Sequence, residues 1–245
     1  MNENFKNEVI FVAGGPGMGC AYIEDTFNSI NNQHVNAYFY EQPGCGIRAF
    51  ELTTLNDTIE DFTEYVNKNV KNKKWTLVTH SWGLVLALLA VEKKGIRSLP
   101  SALIALNPAP VNRADFDGVG GELVSRLSDD ELAQITKLST EGSLESGRQL
   151  MIMAQKAYFG TAENLPDFDV SYNLKTYNSI ASELGDFDLS STLESMENKF
   201  FVFGTRDYIS KNLFEKFFVD GNYVEIETGH FSMLEDSKAL VNYLL

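Results

Sequence analysis

Six short apolar runs, each ended by turn chemistry, set the main limit on what this chain can become. They are VIFVA (Val9–Ala13), AYFY (Ala37–Tyr40), WTLVT (Trp75–Thr79), ALIAL (Ala102–Leu106), FFVF (Phe200–Phe203) and YVEI (Tyr223–Ile226). Most are nearly continuous in apolar residues. A strand with one wet face alternates; a strand covered on both faces does not. Between the runs lie stretches with helical character. Leu55–Val70 spaces Ile59, Phe62 and Val66 among polar residues, and Leu84–Lys94 is apolar until two lysines and Gly95 close it. Asp236–Leu245 reads as a closing helix. Strand–helix alternation of this kind predicts an α/β fold with a mostly parallel sheet of about six strands and right-handed crossovers.

One stretch breaks the rhythm. From 112 to 194 no buried strand is evident, and the signals are helical. Ser128 with Glu131 three residues on makes a capping box before LAQITKL. Leu144–Tyr158 carries Leu150, Ile152, Met153 and Ala157 at helical spacing, and Tyr172–Leu184 reads as another helix. The expected organisation is a core of 1–111 and 195–245 with 112–194 inserted as a helical cap. Such an insertion sits over the C-terminal edge of the sheet, where α/β folds bind ligands. Two ordinary crossover helices with long loops are the plainer alternative.

Composition bounds the partners. The chain has 34 acidic and 20 basic residues, a net charge of −14, so nucleic acid and anionic membrane surfaces are disfavoured. At 245 residues it buries enough apolar surface to fold without covalent staples. Cys20 and Cys45 make neither a disulfide framework nor a metal site and read as reduced thiols. The stretch MNENFKNEVIFVAGG lacks a basic segment followed by a long apolar one, and the longest apolar run, Leu84 to Val91, is far short of a membrane span. A cytoplasmic protein acting on a small molecule or short peptide, with no cofactor and no metal, is expected.

The sharpest chemical signal is Thr79-His80-Ser81-Trp82-Gly83, between an expected strand and an expected helix. A serine on such a turn is held with its hydroxyl exposed above the sheet edge, and small neighbours let the helix fold back on the strand. Ser81 is therefore the candidate nucleophile; capping the following helix is its structural alternative. A serine hydroxyl needs a base. Among three histidines, His80 should point away from the reacting face and His34 lies in a polar loop. His230, in Thr228-Gly229-His230-Phe231 after the last strand, is the best base. Asp207, in Gly204-Thr205-Arg206-Asp207 just past FFVF, is the best acid to fix its tautomer, ahead of Asp186 and Asp188. The order Ser81, Asp207, His230 is the one expected for this turn. The loop Ala13-Gly14-Gly15-Pro16-Gly17 can aim backbone amides at an oxyanion, with Gly15 and Trp82 as the expected donors. It lacks the Gly-Lys-Ser/Thr ending of a phosphate loop, and Pro16 breaks a dinucleotide fingerprint.

These motifs give the chain a likeness. Through GGPGMG, EQPGCG, the run from TIEDF to HSWGLVLAL, NPAP, GTRD and ETGHFSMLED, it resembles α/β-hydrolases and, within them, prolyl-aminopeptidase-like serine hydrolases. The resemblance implies an α/β-hydrolase fold with the insertion as a cap, and an acyl-enzyme mechanism on an amide or ester. A carboxylesterase, thioesterase or lactonase is the alternative, and a ligand-binding member without turnover is the reading from another class. The sequence departs from the pattern at Ala13, where the family usually has histidine, at Pro43, where it often has arginine, and at Thr79, where it usually has glycine. The family's two strands before the glycine-rich loop have no counterpart in the few residues ahead of VIFVA. In the family, acidic cap residues receive the substrate's amine; Glu122, Glu131, Glu141, Glu145, Glu163 and Glu183 are the candidates here.

Overall fold

The computed structural model describes residues 8–28, 35–72, 74–161 and 163–244. Its strands are β1 (Glu8–Val12), β2 (Asn36–Tyr40), β3 (Thr76–His80), β4 (Ala102–Leu106), β5 (Lys199–Gly204) and β6 (Tyr223–Ile226). They form one six-stranded sheet in the order β2-β1-β3-β4-β5-β6, with every pairing parallel. Each apolar run of the sequence falls on a strand, displaced by no more than one residue at either end. β1, β3 and β4 are buried at every position, which is why their sequences do not alternate.

Alternate strand residues feed two cores, one on each face of the sheet. Ile10, Val12, Leu77, Leu103, Phe201 and Phe203 pack under α2 (Leu55–Asn69) and α3 (Trp82–Glu92). Val9, Phe11, Val78, Ile104 and Val202 pack on the opposite face, with α1 (Ala21–Phe27), α9 (Ser232–Glu235) and α10 (Ser237–Leu244). α2 starts at a capping box in which Thr54 accepts from the Asp57 amide and the Asp57 carboxylate accepts from the Thr54 amide. α3 has no polar stripe: only Leu89, Val91 and Glu92 escape full burial, so it is a core helix. No helix among the described residues is long and apolar enough to cross a membrane.

The helical insertion lies between β4 and β5. It comprises α4 (Arg113–Ser125), α5 (Asp129–Glu141), α6 (Leu144–Phe159), α7 (Leu174–Glu183) and α8 (Ser190–Ser195). The Ser128 and Ser143 capping boxes start α5 and α6, and Gly142 and Gly160 end them in the left-handed region. The segment entering α7 is stitched to the loops after β1 and β2. Met18 bridges Tyr172, and Asn173 Nδ2 donates to the Gly44 and Ala49 carbonyls at 2.9 and 3.0 Å.

The sequence signals miss α1, α4, α8 and the four-residue α9. α4 is obscured by Gly118, Gly120 and Gly121, which dilute any helical pattern. A Cβ at any of these glycines would touch nothing within 4 Å, so no contact demands them. Each costs about 1 kcal/mol relative to alanine in a helix interior. Gly118→Ala and Gly121→Ala, both on the exposed side of α4, are therefore expected to stabilise the protein by about 0.5–1 kcal/mol each, read as a higher urea midpoint.

Candidate active site

Ser81 joins β3 to α3 with φ 50° and ψ −122°, a strained backbone for a residue with a side chain. Its amide donates to the Leu106 carbonyl at 3.1 Å, and its carbonyl accepts from the Leu84 amide at 3.1 Å. Gly83 permits the tight return of α3 onto the sheet. A Cβ there would lie 2.6 Å from the Val12 carbonyl oxygen and 2.7 Å from that of Ala13. Thr79, in the position where the resembled family has glycine, is fully buried and its Oγ1 has no hydrogen-bond partner.

The structure brings Ser81, His230 and Asp207 together. Ser81 Oγ lies 2.9 Å from His230 Nε2, and His230 Nδ1 lies 3.0 and 3.1 Å from the two Asp207 oxygens. A carboxylate only accepts, so Nδ1 carries the proton and Nε2 is left to accept from the serine hydroxyl. Both side chains are enclosed, His230 at 2% and Asp207 at 0% exposure. Asp186 and Asp188 stand elsewhere: both are exposed, and Asp188 accepts from the Ser190 amide at the start of α8.

Each member of this chain sits on a turn that other groups hold. Asp207 Oδ1 accepts from the Ile209 amide at 3.1 Å and Oδ2 from Asn107 Nδ2 at 2.9 Å. Asn107 is fully buried just past β4 with φ 43°. It also donates to the Gly229 carbonyl at 3.1 Å and accepts from the Ser232 hydroxyl at 2.6 Å. Glu235 accepts from the Gly229 amide and from Arg206, tying the histidine turn to the aspartate turn. From α4, Arg126 donates to the Arg206 and Asp207 carbonyls at 2.8 and 3.1 Å. Sequence reasoning missed Asn107, although NPAP lay in view; an amide directly after a strand, at the edge carrying the other candidates, was the available signal.

His80 points into the protein. Its Nε2 lies 2.9 Å from the His230 carbonyl, which only accepts, so Nε2 carries the proton. Nδ1 then accepts from the Tyr22 hydroxyl at 2.6 Å, and that hydroxyl accepts from the Gly14 amide at 2.7 Å. The relay ties the glycine loop, the serine turn and the His230 backbone. His34 lies outside the described residues.

Gly15, Ser81 and Trp82 share the lining of a cavity of about 310 Å³. Trp82 opens α3, and the first amides of a helix have no acceptor within it. Buried Gln42 spans the two amide-bearing segments, donating to the Gly14 carbonyl at 3.0 Å and accepting from the Trp82 indole at 3.3 Å. The Glu41 carboxylate receives the Cys20 and Ile47 amides from the neighbouring loops. The rest of the lining comes from Met18, Ile209, the loop after β4, α4 and four tyrosines. None of the glutamates singled out in the sequence lines this cavity. Glu131 caps α5 and pairs with Lys156, Glu122 pairs with Arg126, and Glu183 caps α2 through the Leu55 amide. Asp117 lines it instead, with its carboxylate paired to Arg113 at 2.9 Å. Among the described residues, no cluster of three or more His, Cys, Asp or Glu is placed to hold a metal ion.

A parallel sheet with a helical insertion after β4, and a serine on a strained strand-to-helix turn, define a class of protein, and the sequence comparison names it. The chain belongs to the alpha/beta hydrolase family, whose sequence profile matches residues 9–242. Among solved structures it is similar to VinJ, at 16% identity and a TM-score of 0.65, over 99% of this chain and 91% of that one. It is also similar to the esterase EaEST from Exiguobacterium antarcticum (17% identity, TM-score 0.61, 98% and 92% covered). The enol-lactonase from Burkholderia xenovorans is a third such structure (13% identity, TM-score 0.60, 100% and 93% covered). At these identities the likeness is one of fold. No curated protein matches the chain in sequence.

The His80 relay carries a pH signature. Burial first, then the nearby His230, pushes the His80 imidazole well below its ordinary 6.5, against the opposing pull of the bond to the His230 carbonyl. Folded His80 is thus neutral where the unfolded residue takes a proton. The unfolded chain then binds more protons, so this group makes stability fall as pH drops below about 6.5. Urea unfolding between about pH 7.5 and pH 5.5 should show a stability slope that is shallower in His80→Gln, by at most about 0.7 kcal/mol per pH unit averaged over that range, the limit for one proton taken up only by an unfolded imidazole.

Proposed function

We propose that the protein is a serine hydrolase that cleaves a small acyl ester or thioester through an acyl-enzyme. The observation that carries this reading is the continuous hydrogen-bonded chain from Ser81 Oγ through His230 to Asp207, at 2.9 Å and then 3.0 Å. Ser81 Oγ attacks the substrate carbonyl while His230 Nε2 takes its proton. The tetrahedral oxyanion is met by the Gly15 and Trp82 amides. Protonated His230 then gives its proton to the leaving alcohol or thiol, the carbonyl re-forms, and water repeats the sequence to release the acid. Asp207 keeps Nδ1 protonated and stabilises the imidazolium without becoming protonated.

The lining of the cavity favours the ester reading over the aminopeptidase one. An aminopeptidase needs an unanswered carboxylate for the substrate's ammonium group, because a desolvated cation without a partner is costly. Asp117 is the carboxylate at hand, and Arg113 answers its charge. The esterase and the enol-lactonase among the similar folds are consistent with this reading. The non-catalytic alternative leaves the strain at Ser81 without a purpose, since a binding site does not need a nucleophile held at φ 50°.

The test is labelling and turnover together. A fluorophosphonate probe should label Ser81, read from the modified peptide by mass spectrometry, and short-chain p-nitrophenyl esters should be hydrolysed faster than Pro-p-nitroanilide. A folded protein that neither labels nor turns over ester is the non-catalytic binder; faster cleavage of the free aminoacyl anilide restores the aminopeptidase reading.

Ser81→Ala and His230→Ala are each expected to abolish turnover to a similar extent, and the double variant should lose little more, because the two act as one unit. Asp207→Asn should fold normally and lose on the order of 10⁴-fold in kcat, the scale known for that change in serine proteases. Asp188→Asn, at the start of α8, should retain activity.

A further inference from the structure

Seven of the ten tyrosines fall into two groups. Away from the cavity, three buried or half-buried phenols have partners. The Tyr22 hydroxyl joins Gly14 and His80, Tyr40 donates to Asp61 at 2.8 Å, and Tyr65 donates to the Phe39 carbonyl at 2.9 Å. This is the usual condition, since a tyrosine hydroxyl taken out of water finds a hydrogen bond. At the cavity the phenols have no such partners. Tyr158, Tyr172, Tyr177 and Tyr208 all line it, and among the described residues none of their hydroxyls is hydrogen bonded to protein.

Nor are these oxygens sealed in. Among the described residues, the enclosed side-chain oxygens without a partner are Thr79 Oγ1 and Thr228 Oγ1, and no phenol is with them. The hydroxyls of Tyr158, Tyr172 and Tyr208 are therefore reached from open space, which the cavity supplies. The four rings lie in two pairs along the cavity. Tyr158 and Tyr208 are 5.8 Å apart and Tyr172 and Tyr177 6.0 Å, while Tyr208 stands 4.7 Å from the His230 ring.

We infer that the unpartnered hydroxyls of Tyr158, Tyr172, Tyr177 and Tyr208 form the polar recognition surface of the site, and that its substrate carries neutral hydrogen-bonding groups on the acyl chain, such as hydroxyl or carbonyl oxygens, rather than a plain alkyl chain. The inference rests on the serine-hydrolase reading and names its substrate class. Burial, and then the neighbouring phenols, hold Tyr158, Tyr172 and Tyr208 above the ordinary tyrosine value. At neutral pH each is an uncharged group able both to donate and to accept. Among the described residues no lysine or arginine lines the cavity, so a second carboxylate on the acyl chain would have no counter-charge there. A site built from such hydroxyls discriminates by about one hydrogen bond, because an analogue lacking the matching oxygen forgoes that bond.

The experiment compares p-nitrophenyl 3-hydroxybutyrate with p-nitrophenyl butyrate, which differ by one hydroxyl. The wild-type protein should favour the hydroxylated ester by about 10-fold in kcat/KM, the size of one well-made hydrogen bond. Tyr177→Phe, at a half-exposed position where loss of the hydroxyl leaves the packing intact, and separately Tyr172→Phe, should bring that ratio towards one. A wild-type ratio at or below one, or a ratio unchanged in both variants, overturns the inference. A second arm needs no turnover. Methyl 3-hydroxybutyrate and methyl butyrate are titrated onto Ser81→Ala and onto Ser81→Ala/Tyr172→Phe by NMR shift. Tighter binding of the hydroxylated ester that disappears in the double variant supports the polar surface even if the protein hydrolyses nothing, in which case the serine-hydrolase reading alone fails. Hydrolysis of both esters with no preference in either arm sinks the tyrosine inference and leaves that reading standing.

Discussion

The positive φ of Ser81 is the constraint from which the site follows. A residue with a Cβ leaves that region unless its neighbours forbid relaxation. Here the serine is pinned at both its amide and its carbonyl, by β4 and by the first turn of α3. α3 itself lies so close to β1 that only glycine fits at position 83. The strain amounts to roughly 1–3 kcal/mol and is carried by the packing of a fully apolar helix on a fully buried sheet. The same geometry lifts Oγ clear of the sheet edge and leaves the Trp82 amide at the open start of a helix.

The His230 and Asp207 turns have no comparable strain and are held by polar ties instead. Asn107, Glu235 and Arg126 come from the loop after β4, from α9 and from α4, and between them they bind the Asp207 and His230 turns to each other. Each bond contributes about 1 kcal/mol net, more where an ion takes part. Their larger effect is on position: loss of any one leaves a buried partner unpaired, so the turns have few alternative arrangements. The His80–Tyr22 pair adds a cross-tie beneath Ser81, which gives His80 a structural place in the turn.

What could be read from the sequence was what local pattern determines. The strands showed themselves because burial on both faces removes alternation, and VIFVA, WTLVT and ALIAL lie where those runs stand. Ser81, Asp207 and His230 were legible because each follows a strand at the same sheet edge, a statement about topology that needs no side-chain coordinates. α4 was not legible, since three glycines erase its periodicity and its place is decided by what it covers. Asn107 was missed although it follows β4 at that same edge, and Tyr22 because it sits on α1, away from any strand end. The choice among cap glutamates failed for another reason. Which carboxylate faces a cavity depends on how each helix is rotated against the core, and Asp117 rather than any of the six holds that place.

The serine turn and the base turn are joined twice, through Ser81 Oγ and through His80, across 149 and 150 positions of sequence. On a ribosome the two ends of those bonds emerge at different times. β3 and α3 are made well before β6 and the turn after it, so the Ser81 hydroxyl has no imidazole to bond until that turn has been made. A nascent chain therefore carries that hydroxyl without its partner while everything between them is synthesised, and the step that completes the sheet also supplies the partner.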